Sequence, residues 1–303
     1  MEASKLKIWA REVRAPFLLL SVVLVPAGAL AAWWEAGTIS GVRFVWTLVG
    51  LLLAHIAVNV LNEYFDYRSG IDLRTERTPF SGGSGVLPAG ALRPEAVYRL
   101  GLGSMFAALG IGLYLTVISG PLLLLLIFAG GAAIYFYTTW FARWPVGELV
   151  AGLGMGSLPV LGSYFVQTGY FSLSAVVAAL APGFLTANLL LLNEFPDVEA
   201  DRAGGRGHLV IALGRRRAGY IYVAWLLATY LAIIGGVVSG AMPPWCLIAL
   251  LTLPLAWRAA RAALRHHDDL PRLIPGLAAN VQTVLGTDLL LALGYLLARA
   301  LGG

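Results

Sequence analysis

Long apolar runs separated by short polar segments make up most of the chain. Each run holds about 20 mostly apolar residues, the length that a helix needs to cross a bilayer. The runs do not alternate in polarity as barrel strands do, and backbone groups in lipid must pair within their own segment. The nine runs cover residues 16–34, 42–64, 94–118, 121–141, 147–167, 172–194, 217–239, 243–263 and 277–299. This pattern predicts an all-α, polytopic membrane protein with nine transmembrane helices in a single domain over residues 1–303.

Composition and charge support this class and predict its orientation. Charged residues make up 12% of the chain and hydrophobic residues 59%, whereas a soluble domain carries about 25% charged residues. All but two of the 21 Lys and Arg residues, Arg43 and Arg299, lie on one side of the predicted membrane. Because basic loops face the cytoplasm, we expect the N-terminus there. The net charge of +5 is then a signal of topology, and no nucleic-acid partner is predicted.

Two acidic motifs of the same form close the second and the sixth apolar run. Residues 62–66 read Asn-Glu-Tyr-Phe-Asp, and residues 193–197 read Asn-Glu-Phe-Pro-Asp. We interpret the pair as the trace of a weak internal repeat, with copies over roughly 14–141 and 147–263. Carboxylates close to a membrane are costly and usually functional. The motifs are therefore the predicted functional site.

The spacing within the motifs favours the binding of a hard cation. In the second motif the polar residues recur every four positions, which places them on one face if the segment is helical. In the first motif Gly70 can end the helix and let Asp72 fold back. Two facing carboxylate clusters repel unless cations lie between them, and oxygen ligands select Mg²⁺ or Ca²⁺. The predicted ligands are Asn62, Asp66, Asp72, Asn193, Asp197 and Asp201.

Glycine-rich loops after both motifs supply complementary positive charge. Arg74 and Arg77 precede a Ser-Gly-Gly-Ser-Gly segment, and Arg202 and Arg206 flank Gly204-Gly205. Arginine pairs with phosphate through two hydrogen bonds, and glycine lets backbone N–H groups approach it. These four arginines are the predicted phosphate ligands, although no Walker loop is present.

The motifs resemble those of the UbiA superfamily of intramembrane prenyltransferases, which carry two Asp-rich motifs on the second and sixth of nine helices. Glu63 stands where the family more often has Asp. A narrower likeness is to the 1,4-dihydroxy-2-naphthoate polyprenyltransferases of menaquinone synthesis. It rests on residues 62–72, on Gly147-Glu148-Leu149 and on Gly162-Ser163-Tyr164.

The resemblance implies a fold, a reaction and roles for particular residues. The helices would surround a central cavity in the plasma membrane that opens towards the cytoplasm. About two Mg²⁺ ions would hold a polyprenyl diphosphate between the motifs, and the prenyl group would pass to an aromatic acceptor as diphosphate leaves. Asp66 and Asp197 would be catalytic, and the ring of Tyr137 would face the allylic cation.

Several alternatives stay open at this point. A related prenyltransferase acting on a 4-hydroxybenzoate-like acid or on geranylgeranylglyceryl phosphate fits the same motifs. A secondary transporter also combines repeats with intramembrane charges, but its sites lie near the bilayer midplane. A non-catalytic lipid-binding protein is the third alternative. The first expectation for the acceptor is 1,4-dihydroxy-2-naphthoate, whereas the prenyl chain length, the oligomeric state and the roles of Asp288 and of residues 266–269 are not predicted.

Overall fold

A computed structural model describes residues 2–302, with side chains described from Lys5 onward, and this part of the chain contains helices and no strand. The described residues form thirteen α-helices and four 3₁₀ or π segments. The helices are α1 Glu2–Glu12, α2 Leu19–Ala36, α3 Gly41–Ser69, α4 Pro94–Ser119, α5 Leu123–Thr139, α6 Gly147–Gly152, α7 Leu158–Thr168, α8 Leu173–Asn193, α9 Val198–Ala203, α10 Leu209–Leu213, α11 Arg215–Val238, α12 Leu253–Arg265 and α13 Leu270–Leu301. The predicted all-α class is confirmed.

The predicted count of nine membrane spans is one too high for the part of the chain described. Eight helical segments between residues 15 and 301 are long and apolar enough to cross a membrane, whereas α5 has 17 residues. The apolar run at 121–141 is longer than its helix, because α5 begins only after Leu122 and Trp140 leaves the helical conformation (φ −134°, ψ −58°). Hydropathy does not detect such turns, since the residues that form them are themselves apolar.

Small residues let the central helices pack closely. The fifth apolar segment is α6 and α7 joined by a π segment, Leu153–Ser157. A Cβ at Gly152 or Gly156 would overlap backbone oxygens of α8. Close approach of this kind is the usual way that helices associate in membranes. It fixes the wall of α6–α7 against α8, the helix that carries the second acidic motif.

The helices divide the interior into a packed core and a cavity. The core lies among α2, α7, α8, α11, α12 and α13, and includes the fully buried Leu24, Leu185, Tyr222 and Leu277. On the other side of α7 and α8, helices α3, α4 and α5 stand around a central cavity. The acidic motifs therefore lie where the packed core meets the cavity.

The two polar features without a predicted role have different surroundings. Asp288 in α13 is fully buried, and neither of its carboxylate oxygens forms a hydrogen bond with residues 2–302. Residues 266–269 form the loop between α12 and α13, where the Asp268 side chain is 70% exposed and Asp269 Oδ1 accepts the Arg272 N–H (3.3 Å). This loop caps a helix and faces solvent.

Candidate active site

The first acidic motif lies on the last two turns of α3 and on the turn that follows. Gly70 ends the helix in the left-handed conformation (φ +81°), which glycine adopts without steric cost. The chain then folds back, and the Asp72 N–H donates to the Asp66 carbonyl oxygen (3.4 Å). The turn expected at Gly70 is thus present, and it brings Asp72 beside Asp66.

The second motif lies on a break between two helices. Helix α8 ends at Asn193, and a turn leads to Asp197, the N-cap of the short helix α9 that carries Asp201. The expected face of one continuous helix is absent from this segment because the chain turns before Pro196, whose ring cannot continue the hydrogen-bond ladder. The turn nevertheless keeps all three side chains on the cavity.

The two motifs face each other across one mouth of the cavity, which has a volume of about 710 Å³. All six predicted metal ligands line it, as do Tyr137 and Arg206. Away from the motifs the lining is almost entirely apolar, with Phe106, Leu109 and Ile127 among its residues. The cavity therefore combines a charged mouth with a long apolar interior.

Arg206 bridges the two motifs. Its Nη2 lies 2.6 Å from Asp66 Oδ1, and its Nη1 lies 3.1 Å from Asp201 Oδ1. Although burial opposes the charge of the guanidinium, Asp66 and Asp201 raise the pKa of Arg206 above its usual value. A permanent cation at the mouth of the cavity follows from this pairing.

One guanidinium does not balance the carboxylates of the mouth. Burial and then Glu63 and Asp66 raise the pKa of Asp72 to about 8. Burial and then Asp201 raise the pKa of Asp197 to about 7. Both pKa shifts arise first from burial and then from repulsion between the carboxylates of the mouth. Bound cations would relieve this repulsion.

Orphaned oxygens mark where such cations fit. Within residues 2–302, Asp72 Oδ2, Asn193 Oδ1 and Asp197 Oδ1 are buried and accept no hydrogen bond. Carboxylate and amide oxygens are hard ligands that suit Mg²⁺, and Mg²⁺ leaves positions free for phosphate oxygens. The residues present therefore fit the metal that the sequence predicted.

The glycine-rich loop after the first motif crosses between the two motifs. The Gly82 N–H donates to Asp197 Oδ2 (3.1 Å), and the Ser84 N–H donates to Glu63 Oε1 (2.8 Å). Helix α1 supports the same loop, because Ser84 Oγ donates to Glu12 Oε2 (3.1 Å). Glu12 and Glu63 are both buried. Glu63 belongs to the predicted motif but was not among the predicted ligands, and Glu12 was not predicted to belong to the site.

The four predicted diphosphate ligands occupy different places. Arg206 lines the cavity. Arg77 is exposed and donates from Nη2 to the Asp72 carbonyl oxygen (2.9 Å). The side chain of Arg202 is 54% exposed and pairs with Glu199, and Arg74 is exposed as well.

Arg14 lines the cavity, although no sequence pattern separates it from the other basic residues of the N-terminal segment. It adopts a left-handed conformation (φ +52°) at the start of the first span, which is uncommon for a residue other than glycine. A basic residue directly before a span is typical of a topology signal, so its position on the cavity only became apparent from the fold.

Tyr137 is a half-buried residue near the end of α5 and lines the mouth of the cavity. The neighbouring Thr138 accepts a hydrogen bond from Asn62 Nδ2 (2.9 Å). This bond joins α5 to the first motif and places the tyrosine beside it.

A second buried polar group lies behind the second motif. Glu148, Glu194 and His208 are fully or almost fully buried, and each offers a ligand atom within 4.8 Å of the others. In the sequence, Glu148 stands at the start of an apolar run and Glu194 lies in the second motif, whereas no pattern singles out His208.

The fold and the site define a helical integral membrane protein with an acidic, metal-compatible mouth on an apolar cavity. The chain belongs to the UbiA prenyltransferase family, whose sequence pattern it matches over residues 23–280. It is therefore a prenyltransferase, and the predicted family and enzyme class are confirmed.

Individual relatives agree with this assignment. The chain is 29% identical to the 1,4-dihydroxy-2-naphthoate octaprenyltransferase of Bacillus subtilis (strain 168) over 84% of this chain and 81% of that protein. The apo structure of a UbiA homolog from Aeropyrum pernix K1 superimposes with a TM-score of 0.69 at 18% identity, over 93% and 98% of the two chains. A UbiA homolog from Archaeoglobus fulgidus, solved with DMAPP and Mg²⁺, has a TM-score of 0.57 at 14% identity, over 91% and 98%. At such identities the two structures establish a shared fold.

Proposed function

We propose that this protein transfers a polyprenyl group from a polyprenyl diphosphate to 1,4-dihydroxy-2-naphthoate, a step of menaquinone biosynthesis. The observation that carries the proposal is the pair of acidic motifs, whose orphaned oxygens face each other at the mouth of an apolar cavity. The choice of acceptor is supported by the name of the Bacillus relative.

The ligands of about two Mg²⁺ ions would come from both motifs. Asn62, Asp66 and Asp72 would contribute from one side, and Asn193, Asp197 and Asp201 from the other. Bound Mg²⁺ supplies charge neutralisation to the diphosphate as it leaves. Asp66 and Asp197 would act in catalysis by holding the Mg²⁺ ions that neutralise the leaving diphosphate.

The protein's own cations and amides would complete the diphosphate site. Arg206 lies between the motifs and can turn one N–H edge towards a phosphate. The N–H groups of Gly82 and Ser84 point at carboxylates of the two motifs. Arg74, Arg77 and Arg202 were predicted as diphosphate ligands, and on the present geometry they would need to move inward to act as such.

The apolar cavity would hold the isoprenoid chain and keep water from the reacting carbon. The allylic C–O bond breaks, and its electron pair leaves with the diphosphate. A ring carbon of the acceptor then donates an electron pair to form the new C–C bond. The group replaced on that carbon, a proton or the carboxylate as CO₂, leaves its bonding electron pair in the ring and so restores aromaticity. A site that excludes water protects the cation from hydrolysis, and the face of Tyr137 stabilises it.

The acidic mouth would lie on the cytoplasmic side of the plasma membrane. The predicted cytoplasmic segments carry nearly all Lys and Arg residues, and both motifs emerge among these segments. This orientation gives soluble Mg²⁺ and a water-soluble acceptor access to the site.

A matrix of prenyl diphosphates against aromatic acceptors, with mass analysis of the products, tests the proposal. Purified protein with Mg²⁺ should release diphosphate only when both substrates are present, and the prenylated naphthoate should be the main product. Preference for a 4-hydroxybenzoate-like acid or a glycerol phosphate lipid would replace the acceptor and retain the reaction. Substrate flux into proteoliposomes without diphosphate release would instead support a transporter.

A further inference from the structure

Three buried side chains converge at the second motif, and each of them has one unpartnered atom. Glu148 Oε2, Glu194 Oε2 and His208 Nδ1 form no hydrogen bond with any residue in the range 2–302. Exposure of these three residues is at most 4%. An uncompensated buried polar atom costs about 1–3 kcal/mol, so three converging atoms call for a ligand between them.

The other atoms of the same side chains are firmly held. Glu148 Oε1 accepts the Leu209 N–H (2.7 Å). His208 Nε2 lies 3.1 Å from Asp201 Oδ2, and in the tautomer that donates this hydrogen bond Nδ1 presents a lone pair. A histidine that donates one ring N–H to a carboxylate while its other nitrogen is free has the usual arrangement of a metal ligand.

We propose that Glu148, Glu194 and His208 bind a transition-metal ion of the Zn²⁺ class, at a site separate from the Mg²⁺ site. An imidazole nitrogen with two carboxylates suits Zn²⁺ and its neighbours better than Mg²⁺, which prefers oxygen ligands alone. Three protein ligands leave a fourth position for water. The proposal goes beyond the proposed function, because it needs neither a prenyl donor nor an acceptor.

The spacing of the group fits such an ion. Ligands about 2.0–2.1 Å from a tetrahedral ion lie about 3.3 Å apart. His208 Nδ1 and Glu194 Oε2 are 3.5 Å apart, and the three ligand atoms lie within 4.8 Å of one another. Small side-chain rotations therefore close the group around an ion.

The electrostatic balance points the same way. Glu148 and Glu194 are buried, and their ligand atoms lie within 4.8 Å of each other. Two adjacent buried carboxylates cannot both stay ionised without a cation. A metal ion held by both carboxylates and by His208 Nδ1 would compensate them.

The ion would fasten three segments that support the active site. Glu148 lies in the first turn of α6, Glu194 follows α8, and His208 precedes α10. His208 also holds Asp201, whose other oxygen pairs with Arg206. His208 is therefore a positioning residue, and the ion sets the orientation of the guanidinium between the two motifs.

Titration of the full-length, chelator-treated protein with Co²⁺ tests the site directly. We expect one Co²⁺ per chain, with the intense visible absorption of a tetrahedral or five-coordinate ion. Zn²⁺ should abolish the bands, and millimolar Mg²⁺ should leave them unchanged. Bands no stronger than those of aqueous Co²⁺, or displacement by Mg²⁺, would overturn the proposal and leave a shared proton as the occupant.

Variants assign the ion to these ligands. His208→Gln keeps a side-chain donor for Asp201 but removes the Nδ1 ligand, and it should weaken Co²⁺ binding more than about tenfold. His267→Gln, in the solvated loop before α13, is the matched control and should bind like the wild type. Equal binding by His208→Gln and the wild type would overturn the proposal. If His208→Gln fails to fold, Glu148→Gln takes its place in the comparison with His267→Gln. The wild-type Co²⁺ titration tests the proposal without any variant.

Discussion

At the scale of single residues, the site depends on charge that is concentrated at the mouth of the cavity. Carboxylates from two distant motifs share one guanidinium, Arg206, and several of their oxygens accept no hydrogen bond within residues 2–302. Such an arrangement is costly without bound cations, and it is suited to a ligand that brings both Mg²⁺ and phosphate. Single substitutions at the mouth should therefore affect turnover far more than folding.

Asp66→Asn and Asp197→Asn should each lower kcat at least about a hundredfold, because the loss of a ligand weakens charge stabilisation of the leaving diphosphate. Prenyl transfer by purified variants measures the effect, and unchanged thermal unfolding verifies the fold. Asp268→Asn is the matched control, since that side chain is 70% exposed. Near-normal turnover by either motif variant would contradict the two-cluster site.

Arg206→Lys should lower kcat/KM at least about tenfold, although the charge is retained. Lysine cannot bridge Asp66 and Asp201 with two N–H edges as the planar guanidinium does. The same exchange at the exposed Arg216 should leave kcat/KM within about twofold. Comparable values for the two variants would show that only net charge matters at this position.

Tyr137→Phe should retain most of the activity, whereas Tyr137→Leu should lose it. The aromatic face stabilises an allylic cation, and phenylalanine keeps that face. Steady-state kcat for both variants separates the ring from the hydroxyl. A large loss in Tyr137→Phe would indicate that the hydroxyl is the functional group.

At the scale of elements, the glycine-rich loop and α1 are as much part of the site as the two motif helices. The loop donates N–H groups to carboxylates of both motifs, and its Ser84 hydroxyl donates a hydrogen bond to Glu12 of α1. The N–H groups that now meet carboxylates are also the groups that could turn to a bound diphosphate. Its glycines are therefore needed for space as well as for backbone conformation.

Gly83→Ala should lower kcat about tenfold. A Cβ at Gly83 would lie 3.0 Å from Asp72 Oδ1 and 3.2 Å from the Glu63 oxygens, and small displacements of reacting groups are costly. Gly90→Ala is the matched control, because Gly90 has nearly the same conformation (φ +65° against +70°) with open space around it. Both variants share the backbone strain of about 1–2 kcal/mol. Equal kcat values for the two variants would therefore show that crowding by the new Cβ at residue 83 does not lower kcat.

At the scale of the whole molecule, two bodies of different character meet at the active site. The packed core of α2, α7, α8 and α11–α13 holds one motif, and the more open half of α3–α5 holds the other. Metal and diphosphate would join the two halves. Ligands that bind across such an edge stabilise the folded protein by mass action.

The metal-free protein should lose stability as pH rises, and Mg²⁺ should restore it most at high pH. The raised pKa values of Asp72 (about 8) and Asp197 (about 7) mean that the folded protein binds protons more tightly than the unfolded chain. Their stabilising contribution is therefore complete below about pH 4 and is lost as pH rises through 7 to 8. The increase in Tm caused by Mg²⁺ should then be larger at pH 8.5 than at pH 6, because protons compete with the metal.

Thermal unfolding in detergent, with and without Mg²⁺, measures this dependence. Asp197→Asn removes one of the titrating groups and should flatten it. A Tm increase that is independent of pH would contradict binding of Mg²⁺ by these carboxylates.

Much of this protein could be predicted from local patterns. Apolar runs of membrane length predicted the helices, and the matched motifs at 62–66 and 193–197 predicted the site and the family. The count of spans was wrong at α5, whose ends are turns made of apolar residues. The single face expected for residues 193–201 depended on a helix there, and the chain instead turns before Pro196. The internal repeat and the orientation stay predictions.

The sequence by itself determined the class of protein, because span length, basic bias and motif spacing are properties of neighbouring residues. Only the tertiary structure decided that Arg206 faces the cavity while Arg202 faces solvent, although both flank the same glycine pair. It also brought Glu148, Glu194 and His208 together from three separate segments. These outcomes depend on how helices pack against each other, and the contacts that fix such packing join residues far apart in the chain.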